Sequence, residues 1–417
     1  MSDLDDNPVV ISGVGLTTSL GIDRETTWRN LLAGHSGVRC VEPTELEHRD
    51  RRGHWPVNVL AAPARLLSDA GMAESNPLTR LIEQAAYEAT EEARFSEIDR
   101  PRHRLGCVIG TSKGSLAVLS RSSNDPATVW QQLLPSTPAS EIAKSFDLRG
   151  AALCPVAACT TGLACLQRGY ELVRDGHCDV VLAGSGDASL VPMLYAAYQK
   201  MGVLAKTSPD IEPAAVCRPF DRARSGFALG EGAAVVVMER ARSAITRGLT
   251  PWAVWRTGGM AADASGLTTL DPSAASTTNL IHTVCQRANI SPMEIDAINV
   301  HGTATLINDL HESLAIRNVF GSSSQVPCFG IKGGLGHLLG AAGSVEIAVS
   351  LLALRDGVLP GTVNCDNLDP ACSLNLSNQP IQQSGLHRLL KLSLGFGGHL
   401  GAVLLERWKQ APPTSAV

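Results

Sequence analysis

The sequence predicts a layered α/β fold built from two related halves, and three observations point to it. Short apolar runs alternate along the chain with segments of helical periodicity, the pattern of sheets covered by helices. The run Ala234-Val235-Val236-Val237-Met238-Glu239-Arg240 resembles Gly401-Ala402-Val403-Leu404-Leu405-Glu406-Arg407, and each follows a loop containing Gly and Phe. A second echo links Leu172-Val173-Arg174-Asp175-Gly176 with Ala353-Leu354-Arg355-Asp356-Gly357, each closing an apolar helix. Together the echoes divide the chain near Pro251, into an N-terminal half over 1–250 and a C-terminal half over 251–417.

In order, a strand is expected at 9–11 and a helix over 26–33, stopped by Gly34. A long helix fits 77–94 and a strand 105–110. Residues 158–175 read as a helix ended by Gly176, followed by a strand at 180–183. The second half repeats the theme with a strand at 297–300, helices over 309–319 and 339–356, and a strand at 401–406. The stretch 39–65 is polar and irregular, expected as a surface excursion, and the tail from Gln410 is expected to fray.

Composition narrows the function. Of 417 residues, 44% are hydrophobic and 18% charged, enough apolar content for a large core. Aromatics are 4%, so aliphatic side chains fill that core. Net charge is −5, and Lys and Arg are not concentrated in any stretch, which argues against a nucleic-acid surface. There is no apolar run of about 18 residues, and the acidic start Met1-Ser2-Asp3-Leu4-Asp5-Asp6 does not resemble a signal peptide. A cytoplasmic protein is expected. The eleven cysteines lack metal-type spacing and in a reducing compartment read as small hydrophobes, so a reactive one must be singled out by its surroundings.

Four clusters carry chemistry. In Ala157-Ala158-Cys159-Thr160-Thr161-Gly162 the thiol opens a helix, where unpaired N–H groups and the dipole favour thiolate. A dipole contribution of up to ~2 kcal/mol would lower a free thiol by about one and a half pH units. A buried structural cysteine fits the same pattern. In Asn299-Val300-His301-Gly302-Thr303-Ala304-Thr305 the histidine stands just past an apolar strand, where α/β sheets place ligands. In Lys332-Gly333-Gly334-Leu335-Gly336-His337 the glycines let a Lys and a His approach from one tight loop, unless this is only a Gly-rich helix entry. Gly395-Phe396-Gly397-Gly398 offers a flexible loop with one large side chain, a gate or an ordinary turn.

On these residues the chain resembles the β-ketoacyl-acyl carrier protein synthases of the elongating type (synthase II), in the thiolase superfamily. The likeness spans Val9 to about Arg407, including Val9-Val10-Ile11-Ser12-Gly13-Val14-Gly15 and Arg218-Pro219-Phe220-Asp221 through Gly230-Glu231-Gly232. It implies a thiolase-like αβαβα architecture, a homodimer, no metal or cofactor, and acyl carrier protein as partner in its acyl and malonyl forms. The implied reaction is decarboxylative Claisen condensation in fatty acid elongation. Cys159 matches the acyl-accepting nucleophile, His301 and His337 the two catalytic histidines, and Lys332 the lysine. Glu346 matches the carboxylate that holds that lysine. Phe396 matches the gate, its N–H joining that of Cys159 in an oxyanion hole. Thr303, Thr305, Asp309 and His399 count as supporting groups.

Several positions depart from the family pattern. Lys-Ser-Met-Thr-Gly-His is replaced here by Lys332 to His337 as quoted above. Asn-Ser-Phe-Gly-Phe-Gly-Gly-Thr-Asn is replaced by Leu392-Ser393-Leu394-Gly395-Phe396-Gly397-Gly398-His399-Leu400, which adds a third imidazole near the gate. Lys113 stands where relatives line the acyl pocket with an apolar residue, and the segment 114–149 is shortened. Arg80 and Lys206 are the candidates for docking the acidic carrier. Three other readings stay open: a polyketide or specialised-lipid ketosynthase, a non-catalytic partner subunit of a synthase, and a serine hydrolase using Ser112 in Gly110-Thr111-Ser112-Lys113-Gly114.

Overall fold

A computed structural model describes residues 7–42, 59–66, 76–120, 126–208, 210–321 and 325–409. The expected fraying from Gln410 and the acidic start up to Asp6 lie outside the described residues.

Eleven strands form one sheet: β1 (Val9–Thr17), β2 (Leu105–Gly110), β3 (Ala152–Leu153), β4 (Val180–Asp187), β5 (Gly232–Arg240), β6 (Ala253–Ala262), β7 (Ala297–Asn299), β8 (Pro327–Phe329), β9 (Asn375–Leu376), β10 (Arg388–Gly395) and β11 (His399–Arg407). Their order is β9-β8-β7-β10-β11-β6-β1-β5-β4-β2-β3. Outward from the central β1/β6 pair, one side runs β1-β5-β4-β2-β3 and the other β6-β11-β10-β7-β8, before β9 is added at one edge. Directions repeat as well. Each side has two antiparallel pairings followed by two parallel ones. The echoed runs at 234–240 and 401–407 fall on β5 and β11, which hold equivalent places.

Helices α1 (Arg24–Leu32), α2 (Pro77–Glu92), α3 (Thr161–Arg174), α4 (Ala275–Ala288), α5 (Leu306–Phe320) and α6 (Ala342–Asp356) complete the framework. Helix α2 starts on Pro77 with the Asn76 side chain accepting from Leu78 N–H, and buries Leu78, Leu81, Ile82, Ala85 and Ala89 at helical spacing. It covers β1 and β5 from one side, while α4 covers β6 and β11 in the other half. Helix α6 touches both β5 and β10, and its residues from Ala342 to Leu354 are all buried. A helix apolar all round belongs inside. With α3 against it, α6 forms the middle layer of a helix–sheet–helix–sheet–helix stack whose two sheet layers are the two halves of the continuous sheet, the architecture expected from the resemblance.

The two middle helices meet on glycine. A Cβ on Gly162 would fall 2.4 Å from Ser344 N, and one on Gly343 would fall 2.7 Å from Leu163 N. Backbone approach of this kind excludes any side chain.

Most expected elements appear, several of them longer. The first strand runs to Thr17, because Gly13 and Gly15 continue it with hydrogen to spare for the α2 carbonyls of Ala89 and Ala85. The polar stretch 39–65 is less irregular than expected at its ends. Arg39–Val41 and Val59–Ala62 pair in a small sheet with Leu229–Gly230, and Val59 to Ala62 are buried.

Candidate active site

The nucleophile candidate sits in a strained turn. Ala158 adopts φ 46°, in the left-handed region, and a short 3-10 turn over Ala158–Thr160 leads into α3. Thr161 holds this turn, its Oγ1 donating to Ala158 O at 2.8 Å and accepting from Ala157 N at 2.9 Å. Cys159 is buried, and the Phe396 N–H is aimed at its sulfur. Gly395 permits that approach, since a Cβ there would lie 3.2 Å from Cys159 N and 2.9 Å from Thr160 Oγ1.

His301 lies just past β7. Its N–H and that of Gly302 donate to the two oxygens of Glu312 on α5, at 2.5 and 2.8 Å. Asp309, one turn earlier, accepts from Thr303 N at 3.0 Å and from Phe220 N at 2.8 Å, so it ties the loop after His301 to the other half. Arg224 stands 3.5 Å from that carboxylate. Thr303 and Thr305 share a hydroxyl contact of 2.8 Å. Sequence reading named Asp309 but missed Glu312, whose signal was its place three residues further along the same helix.

Lys332, fully buried, donates to His301 Nδ1 at 3.2 Å, to His301 O, and to Glu346 Oε1. An ammonium has no acceptor to offer, so His301 Nδ1 accepts and its proton sits on Nε2. The Leu339 N–H likewise donates to His337 Nδ1 at 3.2 Å, leaving Nε2–H as that ring's donor. The two rings meet edge to face, 5.3 Å between centroids. Burial, then the charges of nearby lysines, hold both imidazoles well below the ordinary histidine value, so both are neutral donors at pH 7.

One cavity joins the thiol, the two imidazoles and the gate. It is lined by Cys159, His301, His337, Thr303, Thr305 and Phe396, with Phe227, Leu270 and Leu394 among its apolar walls. The assembly can accept an acyl group on sulfur and direct N–H donors at a neighbouring carbonyl oxygen.

The thiol differs from expectation. Burial pushes Cys159 up, and the Phe396 N–H, Lys113 and Lys332 only partly oppose it. The sulfur lies in a closed turn ahead of α3, where desolvation of the anion outweighs these donors and cations.

Lys332, Glu346 and Asp309 support the site without lining the cavity, and other expected residues lie apart from it. His399 turns its ring to solvent, and only its carbonyl reaches the site, accepting from Thr160 Oγ1 at 3.0 Å. His399 is exposed because it is the first residue of β11, ahead of the run Leu400–Leu405 that is buried on both faces. Lys113 is pinned by Ser189 Oγ at 2.8 Å and Asp187 at 3.3 Å, so it acts on the thiol through its field and is not among the residues around the cavity. Ser112 donates to Asp187 at 2.5 Å beside that lysine, and a 3-10 turn, Leu116–Ser120, follows it. The strand–nucleophile–helix elbow of a hydrolase is not built there. Arg80 is half-buried on α2 and Lys206 is exposed in the loop after Pro192–Lys200.

Among the described residues no two cysteines are joined by a disulfide. Among the described residues, no group of three or more His, Cys, Asp or Glu could hold a metal ion, and no helix is long and apolar enough to cross a membrane.

Repeated half-sheets around a buried helix pair, with a Cys at one helix start and two His from the other half, define a thiolase-like condensing enzyme. The chain belongs to the β-ketoacyl synthase family: residues 6–244 match its N-terminal domain and residues 252–366 its C-terminal domain. It is 31% identical over 410 residues to the 3-oxoacyl-[acyl-carrier-protein] synthase 2 of Mycobacterium tuberculosis, covering 96% of this chain and 97% of that protein. It is 30% identical to the tetracenomycin polyketide synthase ketoacyl synthase alpha subunit of Streptomyces glaucescens, covering 96% and 97%. Among solved structures it superimposes, at TM-score 0.87 and 25% identity, on a type II PKS ketosynthase bound to the hexaketide and in complex with its acyl-carrier protein, covering 96% of this chain and 100% of that one. It is therefore an acyltransferase-type condensing enzyme of fatty acid or polyketide synthesis.

Proposed function

We propose that this chain elongates fatty acyl chains, condensing an acyl group held on Cys159 with malonyl-acyl carrier protein. The observation that carries the reading is the shared cavity of Cys159, His301 and His337, with the Phe396 N–H directed at the sulfur. In the first step the Cys159 sulfur, its proton released, attacks the acyl thioester. The carrier's thiol leaves and takes up a proton. Malonyl-carrier then enters and loses carbon dioxide, and the electron pair of the broken C–C bond forms an enolate. Its oxyanion faces the Nε2–H donors of His301 and His337, groups worth about 2.7–4 kcal/mol each in acyl transfer. The enolate carbon attacks the acyl-Cys159 carbonyl, whose oxygen is served by the N–H groups of Cys159 and Phe396. Cys159 thiolate departs, releasing β-ketoacyl-carrier. Lys332 positions His301 and is held by Glu346.

In this reading the protein is a cytoplasmic homodimer with acyl carrier protein as partner, and Lys113, held by Asp187 outside the cavity lining, acts on the Cys159 thiol by its charge. The division into halves at 1–250 and 251–417 belongs to the same proposal, supported by the repeated strand order. A polyketide or specialised-lipid role is the second reading, favoured by the nearly equal identity to the tetracenomycin subunit. A non-catalytic partner subunit is disfavoured by the retained Cys159. Intact-mass analysis after mixing with acyl carrier proteins of graded chain length tests all of these. Saturated acyl adducts on the wild type and none on Cys159→Ala support elongation. Loading of only β-keto or otherwise polar chains moves the assignment to the second reading, and no adduct of any kind overturns both.

A further inference from the structure

A second lysine is buried behind the imidazole pair, and the roles described above make no use of it. Lys391 lies on β10 between Leu390 and Leu392, with no exposed surface. Its Nζ is 2.7 Å from Glu346 Oε2, while Lys332 holds Oε1 of the same carboxylate. It also donates to Val300 O at 3.1 Å and reaches Asn299 O at 3.4 Å, the two carbonyls just before His301.

We propose that Lys391 is a second positioning cation of the condensing site, gripping Glu346 opposite Lys332 and supplying charge that bars a proton from His301 and His337. This rests on the condensing function proposed above.

The charge count supports the role. Lys332 with Glu346 alone would be neutral, and adding Lys391 leaves one net positive charge behind the rings. Glu312 faces the same cluster from α5, its oxygens taken by the N–H groups of His301 and Gly302. Burial raises that carboxyl to about 7, so it does not fully cancel the excess near neutral pH. Lys113 faces His337 from the other side, already paired with Asp187. Lys391 is among the charges that hold both imidazoles low, and burial holds Lys391 itself down at about 8. Stability alone does not explain the ammonium, because apolar replacement of a buried ion pair is often neutral or favourable.

The test uses Lys391→Met, which keeps length without charge, and Lys391→Gln, which keeps a hydrogen bond to the carbonyls. Release of carbon dioxide from malonyl-acyl carrier protein is followed from pH 5 to 9, and acyl loading of Cys159 is measured separately by intact mass. With the charge gone the imidazoles take protons more readily, so the acidic limb of decarboxylation moves up by about one pH unit in both variants while acyl loading at pH 8 persists. Variants that load Cys159 and follow the wild-type profile overturn the proposal while leaving the condensing function intact. A wild type that neither loads nor decarboxylates overturns both. Lys391→Arg, which keeps the charge, should keep the wild-type acidic limb; a limb that moves as far in this variant as in Lys391→Met refutes the proposal.

Discussion

His301 and His337 face each other edge to face at 5.3 Å, each with its Nδ1 already occupied by a donor, Lys332 in one case and the Leu339 N–H in the other. Neither ring is built to take a proton from Cys159. Both present Nε2–H toward the cavity. Replacing either with Ala should therefore separate the half-reactions: decarboxylation of malonyl-carrier falls about 100- to 1,000-fold, while acyl loading of Cys159 survives. Carbon dioxide release and intact mass report the two steps. Equal loss of both would mean that an imidazole serves the thiol after all.

The Cys159 thiol should be less acidic than a free one. Burial raises it, so alkylation by iodoacetamide should have its midpoint above about pH 8.5, the value of an unperturbed cysteine. The positive charge of Lys113 favours the thiolate, so Lys113→Met should move that midpoint higher still. A midpoint below 8 would show that the helix start outweighs desolvation.

His399 lies outside the cavity with its ring exposed, and its one contact to the nucleophile turn is made by its backbone carbonyl. His399→Ala should leave kcat/KM within about twofold, since surface changes away from such sites are usually small. A tenfold loss would place the ring in the reaction.

Gly162 and Gly343 set the spacing of the middle helices. Gly162→Ala drives a methyl to 2.4 Å from Ser344 N, a backbone atom that cannot swing aside. Overpacking should cost about 1–3 kcal/mol, read as a lower urea midpoint. The active site should suffer too, because Cys159 lies three residues before Gly162.

Asp309 joins the His301 loop to the segment around Phe220. Asp309→Ala leaves Arg224, whose side chain is fully buried, with Asp369 at 2.7 Å as its remaining carboxylate. Stripping a buried charge of one partner should cost about 3 kcal/mol, measured by chemical denaturation, with weaker malonyl binding as the Thr303 loop loosens.

What could be read from the chain was local. Cys159, His301, Lys332 and His337 each sit in a short stretch where glycine or small residues crowd a reactive group at an element's end. The strand echo was legible for the same reason, since β5 and β11 are buried on both faces and carry nearly continuous apolar runs. What escaped depends on distant pairing. Lys391 carried no sequence signal of its own; the partner that offsets its burial, Glu346, arrives from α6. β6 was not foreseen, because its Gly258 and Gly259 blur the pattern, and its place beside β1 and β11 is settled by long-range ladders. His399 shows the opposite error: adjacency to the gate in sequence puts it at the open end of the β10–β11 ladder, with its ring outside the cavity.

The paired lobes have a consequence for synthesis. The sulfur is translated more than a hundred residues before either imidazole and before the Phe396 amide. A growing polypeptide thus carries its reactive thiol without the groups that make it useful. The condensing site is complete only when the hairpin of β10 with β11 zips beside β6, so a chain lacking that hairpin should not carry out the condensation however well its earlier portion folds.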